Sequence, residues 1–118
     1  VQRLNDAFAS GDADFLINHI AEDVQWNLVG EAVLRGKSDV INILEPMRGV
    51  VSTEYETKQI ITHGNKAVVE GTMKMPKENG GEKLYSFCDI YTFDHSNNST
   101  VSELTAYLIE LRSHEKEE

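Results

Sequence analysis

Residues 84–93 read Leu-Tyr-Ser-Phe-Cys-Asp-Ile-Tyr-Thr-Phe, and their chemistry alternates with period two. In an extended strand Tyr85, Phe87, Asp89, Tyr91 and Phe93 share one face, which puts a carboxyl group between aromatic rings on either side. Neighbouring stretches have the same character. Residues 51–62 alternate, His63-Gly64-Asn65 turns the chain, residues 66–75 follow, and Asn79-Gly80-Gly81 closes a hairpin onto 84–93. After the polar stretch 94–100, residues 101–111 predict a final strand with Leu104, Ala106 and Leu108 on one face and Val101, Tyr107, Ile109 and Leu111 on the other. A strand apolar on both faces is one covered on both faces. Helices can cover the first, and a second subunit the other, so a homodimer through the sheet is expected. A monomer with a few exposed apolar residues is the alternative.

Upstream, the period changes to that of a helix. Val1, Leu4 and Phe8 fall on one side, and Gly11 stops that segment. Asp12 is placed to cap a second helix carrying Ala13, Leu16, Ile17 and Ile20, with His19 beside Phe15 on its flank. Residues 25–29 predict a short strand, with 33–35 pairing near it. A third helix follows Gly36, with a cap at or near Ser38 and with Val40, Ile43, Leu44 and Met47 in register; Pro46 predicts a stop or kink near Glu45. Helices first and antiparallel strands after them describe an α+β domain spanning residues 1–118, with 112–118 a charged tail.

At 118 residues, with 40% hydrophobic and 8% aromatic residues, the chain can build one core and is too short for two. Eleven basic against 20 acidic residues leave a formal charge of −9. Without clustered Lys and Arg there is no phosphate-tracking surface, so nucleic acid is not an expected partner, and an anionic membrane would be repelled. No apolar run approaches the roughly 20 residues of a membrane span. One cysteine, Cys88, excludes an internal disulfide and a Cys-rich zinc site, and fits a reducing, cytoplasmic compartment. The chain begins at Val1, and trimming of a leader is compatible with that start.

The chemistry concentrates at Asp89. If its face is the helix-covered one, desolvation disfavours the carboxylate, and a neutral acid in an apolar cavity can donate a hydrogen bond or proton to a ligand oxygen. An Asp89 facing solvent, or paired with a structural lysine or backbone amide, is the competing reading. Phe87, Trp26, Leu104 and Ala106 would supply an apolar wall; Tyr91, Asn27 or His19 would position the ligand. Only His19 or Glu70 offers a second group to act as a base. The four histidines lack metal-site spacing, and neither a Gly-rich phosphate loop nor a Gly-x-Ser-x-Gly elbow occurs, so neither metal nor cofactor is expected.

The segments VQRLNDAFASGDADFLINHIAEDVQW, LRGKSDVINIL, FCDIYTFD and VSELTAYLIEL together resemble the nuclear transport factor 2-like superfamily, within it the SnoaL-like and ketosteroid-isomerase-like branch. The resemblance implies a cone: a strongly curved antiparallel sheet packed on three N-terminal helices, with a cavity between them and homodimers through the sheet. The oxyanion-hole aspartic acid of ketosteroid isomerases, held neutral, falls on Asp89. Their general-base aspartate falls on Asn27 and their oxyanion-hole tyrosine on Leu4, so the resemblance does not imply that enzyme's mechanism. Limonene-epoxide hydrolases carry an asparagine that Asn27 resembles, but their last-strand acid falls near Ala106. SnoaL-like cyclases use a cavity acid to protonate an aldol product, a part open to Asp89. The implied activity is isomerase, cyclase or lyase chemistry on a small oxygenated molecule; a ligand- or partner-binding domain without catalysis is the alternative.

Overall fold

Gly11 explains how the first two helices meet. A computed structural model describes residues 2–77, 80–94 and 97–111, with the backbone alone at 97–99. Helix α1 (Gln2–Ser10) ends at Gly11, whose φ of 70° suits glycine. A side chain there would strike the backbone of Val50, because residues 49–52 hydrogen-bond back to Ala9 and Gly11. Helix α2 (Ala13–Asn18) starts as expected, with the Asp12 carboxylate accepting from the Phe15 amide at 3.1 Å. Its end differs from the sequence reading. Ile20 belongs to the next strand, because His19 already closes the last turn with its own amide on the Leu16 carbonyl.

Strand β1 (Ile20–Leu28) is therefore longer than the predicted 25–29, and β2 (Ala32–Arg35) pairs with it antiparallel. Helix α3 (Lys37–Leu44) is capped at Gly36 without a side-chain bond, so Ser38 is not the cap, and a 3-10 turn, Glu45–Met47, begins where Pro46 predicts a break. Four strands complete the sheet: β3 (Glu54–His63), β4 (Lys66–Pro76), β5 (Glu82–Asp94) and β6 (Asn97–Glu110). Their order is β2-β1-β6-β5-β4-β3. The sheet is mixed. Its other described pairings are antiparallel, but β1 runs parallel to β6, a departure from the all-antiparallel expectation. The connection between those two strands carries most of the chain, so nothing forces a hairpin direction on the pair. Of the predicted turns, Gly64-Asn65 joins β3 to β4. Asn79 of the next hairpin, His95, His114 and the charged tail 112–118 lie outside the described residues.

The α+β arrangement places one core between the helices and one face of the sheet. Leu4, Ala7, Leu16, Val40 and Leu44 from the helices pack against Val24, Trp26, Val69, Phe87, Tyr91, Val101 and Leu104 from the strands. Fully burying an aliphatic or aromatic side chain of this kind is worth about 1.5–3 kcal/mol. Val101 corrects the sequence reading, which set it opposite Leu104. Phe93 pairs with Val101 and Thr92 with Glu103, so one extra residue on β6 resets the alternation and turns Val101 inward. A second irregularity, between Thr57 and Gln59 on β3, lies across from Gly71 on β4. Phe87 occupies the space over Gly71 and stacks with Tyr55 at 6.0 Å. Phe87 thus sits in the cavity wall above a position that has no side chain of its own.

Candidate functional site

The helix-facing side of the sheet is not filled completely. A cavity of about 310 Å³ remains, lined by Asn5, Phe8 and Ala9 of α1, Trp26 and Leu28 of β1, Tyr55 of β3, Phe87 and Asp89 of β5, and Leu104, Ala106 and Leu108 of β6. Val29, Glu31 and Ile43 stand at its exposed rim. All three methionines of the chain, Met47, Met73 and Met75, line it as well. Methionine is unbranched and flexible, so this part of the wall can adapt to the shape of what enters.

Asp89 is the acid in that wall. The alternation of β5 points it inward with Phe87 and Tyr91, between Val69 on β4 and Ala106 on β6. Its Oδ2 accepts a hydrogen bond of 3.4 Å from the Asn5 amide. Burial pushes the Asp89 carboxyl up to about 7, and the Asn5 bond draws it only part of the way back. Asn5 is itself 2% exposed, and its Oδ1 accepts from the Tyr91 hydroxyl at 2.5 Å. Burial holds the Tyr91 phenol well above its ordinary value, with the neighbouring Asp89 and Tyr55 adding to the effect. Burial raises Tyr55 too, and its hydroxyl accepts from Thr57 at 3.1 Å. A chain of uncharged polar groups therefore leads from the protein interior to the cavity acid.

Five of the eight residues singled out from sequence meet here: Asp89, Trp26, Phe87, Leu104 and Ala106. Trp26 is 4% exposed, belongs to both core and wall, and meets Phe8 edge-on at 5.4 Å. Its indole N–H is buried without a hydrogen-bond partner among the described residues. Tyr91 faces the same side but lies behind Asn5, at 1% exposure, and does not reach the cavity. Besides Tyr91, two more of the expected residues lie off the cavity. Asn27 falls between Trp26 and Leu28 on β1, so strand alternation turns it to the opposite face, beside Thr105 and Val33. His19 hooks back on its own helix, with Nδ1 2.7 Å from the Phe15 carbonyl and its ring stacked on Phe15 at 4.1 Å. Glu70 also leaves the cavity: it pairs with Cys88 across the sheet and accepts from Gln59. Cys88 lies on that same outer face, where burial pushes its thiol up.

Asn5 was not anticipated. Its signal was a polar residue three and four positions before Phe8 and Ala9, inside the stripe that faces the sheet. Tyr55 and the methionines read only as members of an apolar pattern. Among the described residues no group of three or more His, Cys, Asp or Glu could hold a metal ion, and no helix is long and apolar enough to cross a membrane.

Three helices over one face of an open six-stranded mixed sheet make the nuclear transport factor 2-like fold. The SnoaL-like domain matches residues 1–97, and the chain belongs to that family. Among solved structures it is similar to an NTF2-like protein of unknown function from Cytophaga hutchinsonii, with 31% identity over 92% of this chain and 95% of that one, at a TM-score of 0.71. It shares the fold of an epoxide hydrolase from M. tuberculosis of the LEH-like type, with 21% identity, 89% and 75% coverage and a TM-score of 0.72. It shares it also with a protein from Shewanella putrefaciens assigned as a SnoaL-like polyketide cyclase, with 19% identity, 91% and 75% coverage and a TM-score of 0.76. None of the curated proteins matches the chain.

Proposed function

We propose that the cavity holds a small, largely apolar molecule bearing a carbonyl, hydroxyl or ether oxygen, and that Asp89 meets this oxygen as a neutral carboxylic acid. The observation that carries the reading is the inward carboxyl of Asp89, raised by burial to about 7, with one weak hydrogen bond from Asn5. A neutral acid in an apolar hollow donates to an oxygen that gains negative charge, as in enolisation, ring closure or elimination. Among the described residues the wall carries no Lys, Arg or His to attract an anionic ligand. Isomerase, cyclase or lyase chemistry fits such a donor, and the structures that share this fold include ones named for an epoxide hydrolase and a polyketide cyclase. The ketosteroid isomerase arrangement does not fit, because Leu4 and Asn27 stand where that family has its tyrosine and base, and Asn27 faces away.

One observation favours binding without catalysis: among the described residues, the wall's further ionisable groups are Tyr55, whose phenol burial raises, and the exposed rim residue Glu31. A panel of ketones, terpenoids and steroids separates the two. Turnover abolished by Asp89→Asn supports an enzyme; saturable binding without turnover supports a carrier or sensor. A carbon-detected NMR titration placing Asp89 at or below the ordinary aspartate value, about 3.9, would end both. As partner we propose a second copy of this chain seated on the outer face of the sheet, where Ile61, Tyr107 and Ile109 are 56%, 42% and 61% exposed.

A further inference from the structure

We infer that Tyr91 is a positioning residue which, by fixing the Asn5 amide, decides which oxygen of Asp89 carries the proton. The inference rests on the reading of Asp89 as the cavity acid. Tyr91 is almost wholly buried, and its hydroxyl donates to Asn5 Oδ1. A buried phenol proton needs an acceptor, so the amide is held with its oxygen toward Tyr91 and its nitrogen toward Asp89. An amide nitrogen only donates. Asp89 Oδ2 must then offer a lone pair, and the proton of the neutral acid resides on Oδ1. That oxygen has no hydrogen-bond partner among the described residues, and Asp89 is part of the cavity wall.

The reversed amide gives the opposite outcome. Asn5 Oδ1 would accept from the carboxylic O–H, and the proton would be tied up inside the protein, away from any ligand. Tyr91 disfavours that state because its own hydroxyl would lose its acceptor. Among the described residues, the neighbours of Asp89 on the adjoining strands are uncharged, Val69 and Ala106. The titratable groups nearby are Tyr91 itself, Tyr55 on β3, whose hydroxyl also interacts with the Asn5 side chain, and, beyond Tyr55, Asp6 on α1, with Cys88 and Glu70 on the far face of the sheet.

The test is a titration of Asp89 in the ligand-free protein, wild type against Tyr91→Phe, followed by carbon-detected NMR. Without the hydroxyl the amide can turn, so that it donates to the carboxylate and accepts from the acid. The neutral form gains a hydrogen bond, and the Asp89 midpoint rises by about two- to tenfold in proton affinity, the worth of one net hydrogen bond. An unmoved or lowered midpoint overturns the inference, since a merely structural tyrosine would leave the titration in place. If Tyr91→Phe does not fold, the wild type answers the question through nuclear Overhauser contacts. Asn5 amide protons that stay close to the Asp89 methylene on both sides of its midpoint support the assignment; protons that move to the Tyr91 ring in acid overturn it. No ligand enters either measurement, so failure to find a ligand bears on the proposed function and not on this result.

Discussion

Asp89 and Ala106 stand opposite one another across β5 and β6, so the carboxyl is flanked on that side by a single methyl group. Directly opposed side chains in an antiparallel pair lie about 4.5–5.5 Å apart, and a larger residue at 106 would close the space beside the acid. The site thus depends on a small side chain as much as on a reactive one.

Ala106→Leu is expected to fold, because its added carbons enter a cavity lined by Leu104, Leu108 and Leu28. It should weaken binding of a cavity ligand at least tenfold by filling the space next to Asp89. Calorimetric titration with the best ligand of the panel checks this; full affinity in the variant would place the ligand elsewhere.

Asp89 makes stability depend on pH, and the sign follows from its raised value. Between about 4 and about 7 the folded protein keeps the proton while the unfolded chain releases it, so stability falls as pH rises through that window and levels off above it. Asp89→Asn removes the dependence. The variant should match the wild type near pH 4 and exceed it at pH 8 by up to about 4 kcal/mol. Urea unfolding at both values measures the difference, and an equal gap at the two would contradict the burial of the carboxyl.

Gly71→Ala tests the wall from behind. An added Cβ would strike the Glu56 carbonyl oxygen and lie 2.7 Å from Phe87 Cζ. Backbone cannot yield as a flexible side chain does, so the substitution should cost about 2–4 kcal/mol and disturb the Tyr55–Phe87 stack. Thermal unfolding with near-ultraviolet circular dichroism reads both effects. A variant as stable as wild type would mean that β3 and β4 approach less closely at this point.

The proposed second copy is checked by Ile109→Asp. A charge in the middle of an apolar contact is strongly unfavourable when desolvated, so sedimentation should show the wild type as a dimer and the variant as a monomer with unchanged secondary structure. A monomeric wild type would remove the proposal.

Much of this protein was decided locally. Alternation along 84–93 was enough to set Asp89 among Phe87 and Tyr91 on one face, because side-chain direction in a strand follows from the backbone alone. Gly11, Asp12 and Pro46 marked helix ends for equally local reasons, by backbone freedom, side-chain capping and the loss of an amide donor. The limits came where a partner strand intervened. One extra residue opposite Phe93 moved Val101 to the inner face, and the pairing of β1 with β6 lengthened β1 and made it parallel; neither depends on the residues of one strand.

The site divides along the same line. The apolar wall at Trp26, Phe87, Leu104 and Ala106 was legible in the sequence, and so was the acid within it. Asn27 and His19 went elsewhere because one strand's phase and one helix's final turn, each a matter of a single residue, set their directions. What only the tertiary structure decided was the company Asp89 keeps. Asn5 lies 84 positions away along the chain, and hydrogen bonds across such a distance are made by packing α1 onto the sheet, which no periodicity encodes.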